Sequence, residues 1–274
     1  MAVSERLRVE RLAFGYPGRV VGREVSFGLE AGQVLCLLGP NGSGKTTLFR
    51  TLLRLLEPRD GAVLVDGASI AAWPRRRIAR VFGYVPQAQP GTFPFTAREV
   101  VLMGRTAHVG LFGSPSTYDR RQAEAALDAL GIAHLADRPY PEMSGGERQL
   151  ALVARAVAQE PAILVMDEPT ASLDFGNQVR VLAHVQSLAR RGIAVVLSTH
   201  DPDQAFLCAD LVALLHEGRL ARLGPTAEVI TAGTLREAYG VDVEVVTLTR
   251  EGRAVRVCLP SLTRLPSRDE ISTA

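Results

Sequence analysis

Between residues 5 and 30 the apolar side chains fall into two short alternating sets, Leu7, Val9 and Leu12, then Val21, Val25, Phe27 and Leu29. Gly15-Tyr16-Pro17-Gly18 separates them. Alternation is the period of a strand with one buried face, so this segment predicts antiparallel strands joined by a turn. The unbroken run Val34-Leu35-Cys36-Leu37-Leu38 predicts a strand covered on both faces. Leu48, Leu52, Leu55 and Leu56 then form a stripe at helical spacing, which predicts a helix over 46–56 stopped by Pro58 and Gly61. Gly61-Ala62-Val63-Leu64-Val65-Asp66-Gly67, bounded by turn residues, predicts a further strand pair.

From about residue 90 to 160 the period changes to that of helices. Ala123, Leu127 and Leu130 precede Gly131, and a second helix runs from about Gly145 through Leu150, Val153 and Val157 to Pro161. The Gly-, Ser- and Pro-rich stretch 107–117 reads as a loop or broken helix. Apolar runs return at Ile163-Leu164-Val165-Met166 and Ile193-Ala194-Val195-Val196-Leu197, with a helix expected over 178–191 between them. Buried strands alternating with helices predict an α/β fold with a mostly parallel sheet. An N-terminal antiparallel β subdomain and an inserted helical subdomain complete it. After Gly218 short strands and turns resume, and 241–249 with 254–259 predict a hairpin around Glu251-Gly252. One domain over 1–259, with its helical subdomain at about 90–160, and a polar tail at 260–274 are therefore expected.

A chain of 274 residues with 47% hydrophobic positions can bury a sizeable core. Its 31 basic and 29 acidic residues leave a net charge of +2, and its longest basic run is Arg75-Arg76-Arg77, which argues against a nucleic-acid partner. Cys36, Cys208 and Cys258 lack metal or CxxC spacing and read as small buried hydrophobes in a reducing compartment. The apolar runs fall far short of the roughly 20 residues that cross a bilayer. A cytoplasmic chain that can dock on a membrane protein is expected.

The chemistry concentrates where apolar runs end. Gly39-Pro40-Asn41-Gly42-Ser43-Gly44-Lys45-Thr46-Thr47 follows the strand at 34–38 and has Walker A spacing. Its glycines let backbone N–H groups point at phosphates, and a helix starting near Lys45 adds its N-terminal dipole. Lys45 reads as the cation for the β- and γ-phosphates of a nucleoside triphosphate, and Thr46 as a Mg²⁺ ligand. Asp167 and Glu168 follow Met166 at a strand's C-terminal end, where open parallel sheets place ligands. Asp167 fits the second Mg²⁺ partner, and Glu168 the base that polarises water. His200 ends another strand and could sense a γ-phosphate, although a lone histidine there is commonly structural. Gln87, after Tyr84-Val85-Pro86, could orient water or touch Mg²⁺ through its carbonyl oxygen. Ser144-Gly145-Gly146-Glu147 has capping-box spacing. Glycines in a first helical turn cost roughly 1 kcal/mol each relative to Ala, a cost that a phosphate contact would explain.

In this order the residues resemble the nucleotide-binding subunit of ABC transporters over about 5–225. The resemblance implies that Tyr16 stacks on adenine, that Gln87 is the Q-loop glutamine and that Met143-Ser144-Gly145-Gly146-Glu147 is the signature. Residues 163–168 match Walker B, Ala171-Ser172-Leu173-Asp174 the D-loop and His200 the switch histidine. It implies catalysis by Glu168, His200, Gln87 and Lys45, with ATP and Mg²⁺. It also implies a head-to-tail pair in which Ser144, Gly145 and Gly146 of one copy face the γ-phosphate on Lys45 of the other. Two permease subunits would place coupling helices near 87–110, and the chain would sit peripherally on the cytoplasmic face of the inner membrane. Met143 and Glu147 depart from the commonest Leu and Gln but leave the serine and glycines intact. Leu102-Met103-Gly104-Arg105 and Leu173-Asp174 with Asn177-Gln178 resemble importers of iron-siderophore, haem, cobalamin, molybdate and tungstate, which act with a substrate-binding protein. Export shares this nucleotide chemistry and stays open here. A soluble ABC protein acting on DNA or ribosomes is disfavoured by the single Walker A loop and the lack of heptads.

Overall fold

The structure is a computed structural model that describes residues 5–87, 94–109, 113–171, 173–250 and 252–261. Strands β1 (Glu5–Tyr16) and β2 (Arg19–Glu30) pair antiparallel from Glu5 opposite Glu30 to Tyr16 opposite Arg19, so the turn sits at Pro17-Gly18. β4 (Asp60–Val65) and β5 (Ala68–Ser69) complete this sheet in the order β2-β1-β4-β5. A larger sheet runs β10-β9-β3-β8-β7-β6. Its members are β3 (Val34–Leu38), β6 (Phe82–Val85), β7 (Ile163–Met166), β8 (Ala194–Thr199), β9 (Leu211–His216) and β10 (Arg219–Pro225). β10 is antiparallel to β9, and the other neighbours are parallel.

The apolar run at 34–38 is continuous because β3 divides two cores. Leu35 and Leu37 face the antiparallel sheet and helix α1 (Lys45–Leu52), together with Leu7, Phe14, Leu48 and Phe49. Val34, Cys36 and Leu38 face the opposite core, shared with helix α5 (Gly145–Ala158) and helix α6 (Phe175–Arg190).

The expected helical insert is α3 (Ala97–Leu102), a 3-10 turn at Met103–Ala107, α4 (Thr117–Ala129) and α5. Capping boxes at Thr96, Ser116 and Ser144 start its α-helices. Arg105 is buried and braces the insert: its Nε donates to Asp119 Oδ1 at 2.9 Å, and one terminal nitrogen donates to Ala158 O and Glu160 Oε2, each at 2.8 Å. The preceding Gly104 has no room for a side chain, since a Cβ there would lie 2.1 Å from the Arg155 carbonyl oxygen. The Gly104-Arg105 pair is thus a structural necessity of the insert.

Several boundaries differ from the sequence expectation. α1 ends at Leu52 rather than at 56, because Arg54 adopts a left-handed φ of 51° and its guanidinium donates to the Ile70 and Trp73 carbonyls. Leu55 is 53% exposed, so only the first half of that leucine stripe is core. α6 starts at Phe175 instead of 178, with Asp174 accepting from the Asn177 N–H as its cap. Helix α2 (Arg75–Val81) was not legible, being mostly arginine with Ile78 as its buried residue. Cys36 and Cys208 are buried as expected, whereas Cys258 is only half-buried. The chain closes with α7 (Pro202–Cys208), α8 (Thr226–Val229), α9 (Ala232–Tyr239) and the hairpin β11 (Val243–Arg250) with β12 (Arg253–Pro260). Most of the polar tail, part of the 107–117 stretch and the start of the expected insert lie outside the described residues. Among the described residues no helix is long and apolar enough to cross a membrane.

The Asp119 carboxyl is held down to about 2, first by hydrogen bonds from Ser116 and then by Arg105. The folded value lies below the unfolded one, so the stabilisation is complete above about pH 4 and disappears as pH falls towards about 2. Asp119→Asn is expected to lose about 2 kcal/mol at neutral pH, because the buried Arg105 keeps Glu160 but loses the carboxylate on its Nε. It should also flatten stability against pH in that acid window. Urea unfolding of both proteins across the window checks this, and parallel curves would contradict it.

Candidate functional site

The loop after β3 is shaped by a close approach and a left-handed residue. A Cβ on Gly39 would lie 2.2 Å from the Leu215 carbonyl oxygen of β9, and Gly44 turns the chain into α1 at φ 106°. Lys45 is buried and folds back along the loop, its Nζ donating to Gly39 O at 2.8 Å and Pro40 O at 3.1 Å. Burial lowers its pKa, and the nearby Glu168 and Asp167 carboxylates pull the other way.

The start of α1 is chemically unlike the other long helix starts. It has no side-chain cap and no acidic residue in its first turn, and the buried Ser43 Oγ has no hydrogen-bond partner among the described residues. Uncapped N–H groups, an orphan hydroxyl and a buried ammonium together fit an anion of phosphate type.

Opposite this loop, β7 and β8 deliver the acidic residues in a fixed arrangement. The Glu168 N–H donates to Ser198 Oγ at 2.9 Å, and that hydroxyl donates to Asp167 Oδ1 at 2.8 Å. Glu168 sits at a left-handed φ of 44°, a conformation that costs about 1–3 kcal/mol in a non-glycine residue. Its carboxylate stands between an ammonium and an imidazole, with Lys45 Nζ 3.6 Å from Oε1 and His200 Nδ1 3.5 Å from Oε2. One turn further, Thr170 Oγ1 and Thr199 Oγ1 both donate to the buried Gln204 Oε1, at 2.7 and 2.9 Å. This ties the turn after Glu168 to the strand that carries His200.

Tyr16, Asn41, Gly42, Gly44, Lys45, Thr46, Thr47, Gln87, Asp167 and Glu168 converge on one cavity of about 500 Å³. Tyr16 is 38% exposed at its rim, and its hydroxyl accepts a hydrogen bond from Arg50 at 3.0 Å. Gly39, Pro40 and Ser43 form the body of the loop, while His200 meets the cavity through Glu168. Thr46 and Asp167 both line this cavity, oxygen donors suited to Mg²⁺ beside an anion. Ser198 and Gln204 were missed by sequence reasoning, although Ser198 stands at the end of an apolar run just as Asp167 does.

Ser144, Gly145, Gly146 and Asp174 do not line this cavity. Ser144 caps α5 as expected, and Glu147 Oε2 accepts from the Ser144 N–H at 2.7 Å. That hydrogen bond holds the Glu147 carboxyl below its ordinary range. The box engages the Glu147 N–H rather than those of Gly145 and Gly146. Gly146 also has a packing reason, because a Cβ there would meet Asn177 Nδ2 at 2.6 Å. Asp174 caps α6 immediately beside it, and Ser172 lies outside the described residues.

A second cavity, of about 760 Å³, opens between the turn after α1, helix α2, strand β6 and the 3-10 turn of the insert. Leu55, Trp73, Met103 and Tyr84 are among its walls. Arg76 and Arg80 of α2 donate to the carbonyls of Ala107, His108 and Val109, tying the insert to the core at its edge. Met103–Ala107 lie within the region expected to meet coupling helices; the contribution of 53–57 and 73–79 was not foreseen.

The sequence model of the ABC transporter family matches residues 23–171. A hemin import ATP-binding protein of Nocardia farcinica is 42% identical over 240 residues, covering 88% of this chain and 83% of the relative. The ferric enterobactin transport ATP-binding protein of Escherichia coli is 36% identical, with 88% and 89% covered. Among solved structures, a metal-chelate type ABC transporter in an inward-facing conformation aligns with a TM-score of 0.84 and 32% identity, covering 94% of this chain and 98% of that one. The nucleotide-type cradle and the matched sequence lead to one conclusion: this chain belongs to the ABC transporter family, as one of its ATP-binding, ATP-hydrolysing subunits.

Proposed function

We propose that the chain hydrolyses ATP to drive import of a metal chelate, of the iron-siderophore, haem or cobalamin kind or a molybdate- or tungstate-like anion, through a partner permease. The observation that carries the reading is the buried Lys45 set against Asp167 and Glu168 in a cavity whose wall continues, through β6, into a second groove. In this reading Tyr16 stacks on adenine, and the loop Gly39-Pro40-Asn41-Gly42-Ser43-Gly44-Lys45-Thr46-Thr47 holds the phosphates. A triphosphate gives Lys45 an anionic partner in exchange for Glu168, whose carboxylate then takes the proton of a water attacking the γ-phosphorus as the bond to ADP breaks. His200, already beside Glu168, senses the γ-phosphate. Thr46 and Asp167, with the Gln87 carbonyl, would hold Mg²⁺, which when bound neutralises phosphate charge.

Ser144, Gly145 and Gly146 stand away from the cavity of their own chain, which supports a head-to-tail pair in which they and Asp174 close over the nucleotide of a second copy. In such a pair the 760 Å³ groove of each copy suits a helix from one of two permease subunits. Tyr84 of β6 lines that groove and Gln87, three residues on, lines the nucleotide cavity, so the end of β6 leads from one to the other. The chain would then act peripherally at the cytoplasmic face of the inner membrane, with a substrate-binding protein delivering the chelate. Import is favoured over export by the relatives, named for hemin import and ferric enterobactin transport.

The test is ATP turnover of the chain reconstituted with the permease encoded beside it, with haem- or ferric-siderophore-loaded binding proteins. Stimulation by one loaded binding protein supports import; turnover indifferent to all of them points to export. Glu168→Gln is expected to keep ATP binding, hold the copies together with ATP and lose most turnover; a wild-type rate would remove Glu168 as the base. Ser198→Ala, which frees both the Glu168 N–H and the Asp167 carboxylate, is expected to slow turnover about tenfold with ATP affinity little changed. Equal rates would show that the bridge is dispensable.

A further inference from the structure

The hairpin of β11 and β12 forms a sheet of its own, apart from the two described above. One of its faces is docked at the end away from the turn. Val243, Val245 and Cys258 pack on the large core, the Cys258 N–H donates to Asp203 Oδ1 at 2.8 Å, and Arg256 donates to the Ala227 carbonyl at 2.5 Å. Strand alternation sends Val246, Leu248, Val255, Val257 and Leu259 to the other face. Val246 is directly opposite Val257 and Leu248 opposite Val255, so these side chains form one apolar strip. Leu248 and Leu259 are 52% and 51% exposed and Val255 37%, the reverse of the polar outer face that a solvent-facing ribbon carries.

Charge frames this strip asymmetrically. Glu244 lies on the same face at one end of β11 and Arg250 at the other, about 20 Å apart at the strand rise, with Arg253 of β12 at the register position opposite Arg250. Neither is held in an ion pair among the described residues. A twofold axis through the middle of the strip reverses β11 onto itself. Between copies it sets Leu248 over Val246, Val255 over Val257, Glu244 over Arg250 and the register position of Arg253 over Leu259, the residue paired with Glu244, so the acidic end of one copy meets the Arg250–Arg253 end of the other. A face that complements itself under a twofold operation is the signature of an isologous contact.

We propose that the outer face of this hairpin binds the same face of a second copy of the chain, independently of nucleotide. Stable interfaces bury about 1,200–2,000 Å², and a strip of five apolar side chains falls short of that alone. Its role is to keep two copies at high effective concentration when their nucleotide-dependent contact is open. The inference rests on the pairing of copies proposed above, but it assigns that pairing a second site far from the phosphate loop in sequence.

Sedimentation velocity of the full chain over a concentration series tests it. Without nucleotide the wild type is expected to show a monomer–dimer equilibrium whose dissociation constant rises at least about tenfold, or 1.4 kcal/mol, in Leu248→Asp/Val255→Asp. Glu244→Arg or Arg250→Glu alone should weaken association, and the double reversal should restore it, which a merely structural role would not do. The same aspartate pair placed in Glu168→Gln with ATP should still dimerise, showing that the chain is folded and that the nucleotide contact is separate. A wild type that stays monomeric without nucleotide, or association that ignores both the aspartates and the charge reversal, overturns the proposal. Association that appears only after removal of 262–274 also overturns it and assigns the face to the chain's own C-terminal segment.

Discussion

A buried ammonium at the end of a parallel sheet sets the terms for the rest of the molecule. Lys45 lies among backbone carbonyls and one carboxylate, where burial works against its charge. An ion in such a place is tolerated when its surroundings supply anions, and the fold supplies them from another part of the chain, at the end of β7. The sheet order makes this possible: β8 lies between β3 and β7, so the phosphate loop and the acidic turn flank it at one edge. Both cores, one on each face of β3, hold that edge rigid.

The neighbouring strain and hydrogen bonds follow from the same constraint. Glu168 is held at a left-handed φ, with its N–H fixed by Ser198 and its carboxylate between Lys45 and His200. Moving any of these groups disturbs the others, because the bridge through Ser198 also carries Asp167 and the Gln204 clamp joins the two strand ends. Such a tightly shared arrangement favours discrete states over gradual adjustment. β6 extends from this edge to the groove under the helical insert, and the Arg76 and Arg80 contacts fasten that insert to the core.

Much of this was legible because the decisive residues interrupt strong apolar patterns. The phosphate loop, Asp167, Glu168 and His200 each end an apolar run, and the strand pairs at the N-terminus and the C-terminal hairpin announce themselves by alternation. What escaped has a physical reason in each case. Ser198 ends an apolar run as Asp167 does but carries no charge to draw notice, and Gln204, inside a helix, acts only through the threonines it joins. The stripe Leu48–Leu56 could not say that Leu55 walls a groove, since a groove leucine and a core leucine have the same period. Gly146 looked like a phosphate contact but also meets Asn177 across helices, a neighbour distant in sequence. The hairpin's alternation gave its strands but not which face is docked, because both faces carry apolar residues.

The measurement that bears most directly on this account is nucleotide-induced thermal stabilisation of Lys45→Ala against wild type. If Lys45 is buried there to meet phosphate, ATP should raise the melting temperature of the wild type and leave the folded variant nearly unmoved. Equal stabilisation of the two proteins by ATP would contradict the account, since the loop would then bind nucleotide without the charge around which the site is arranged.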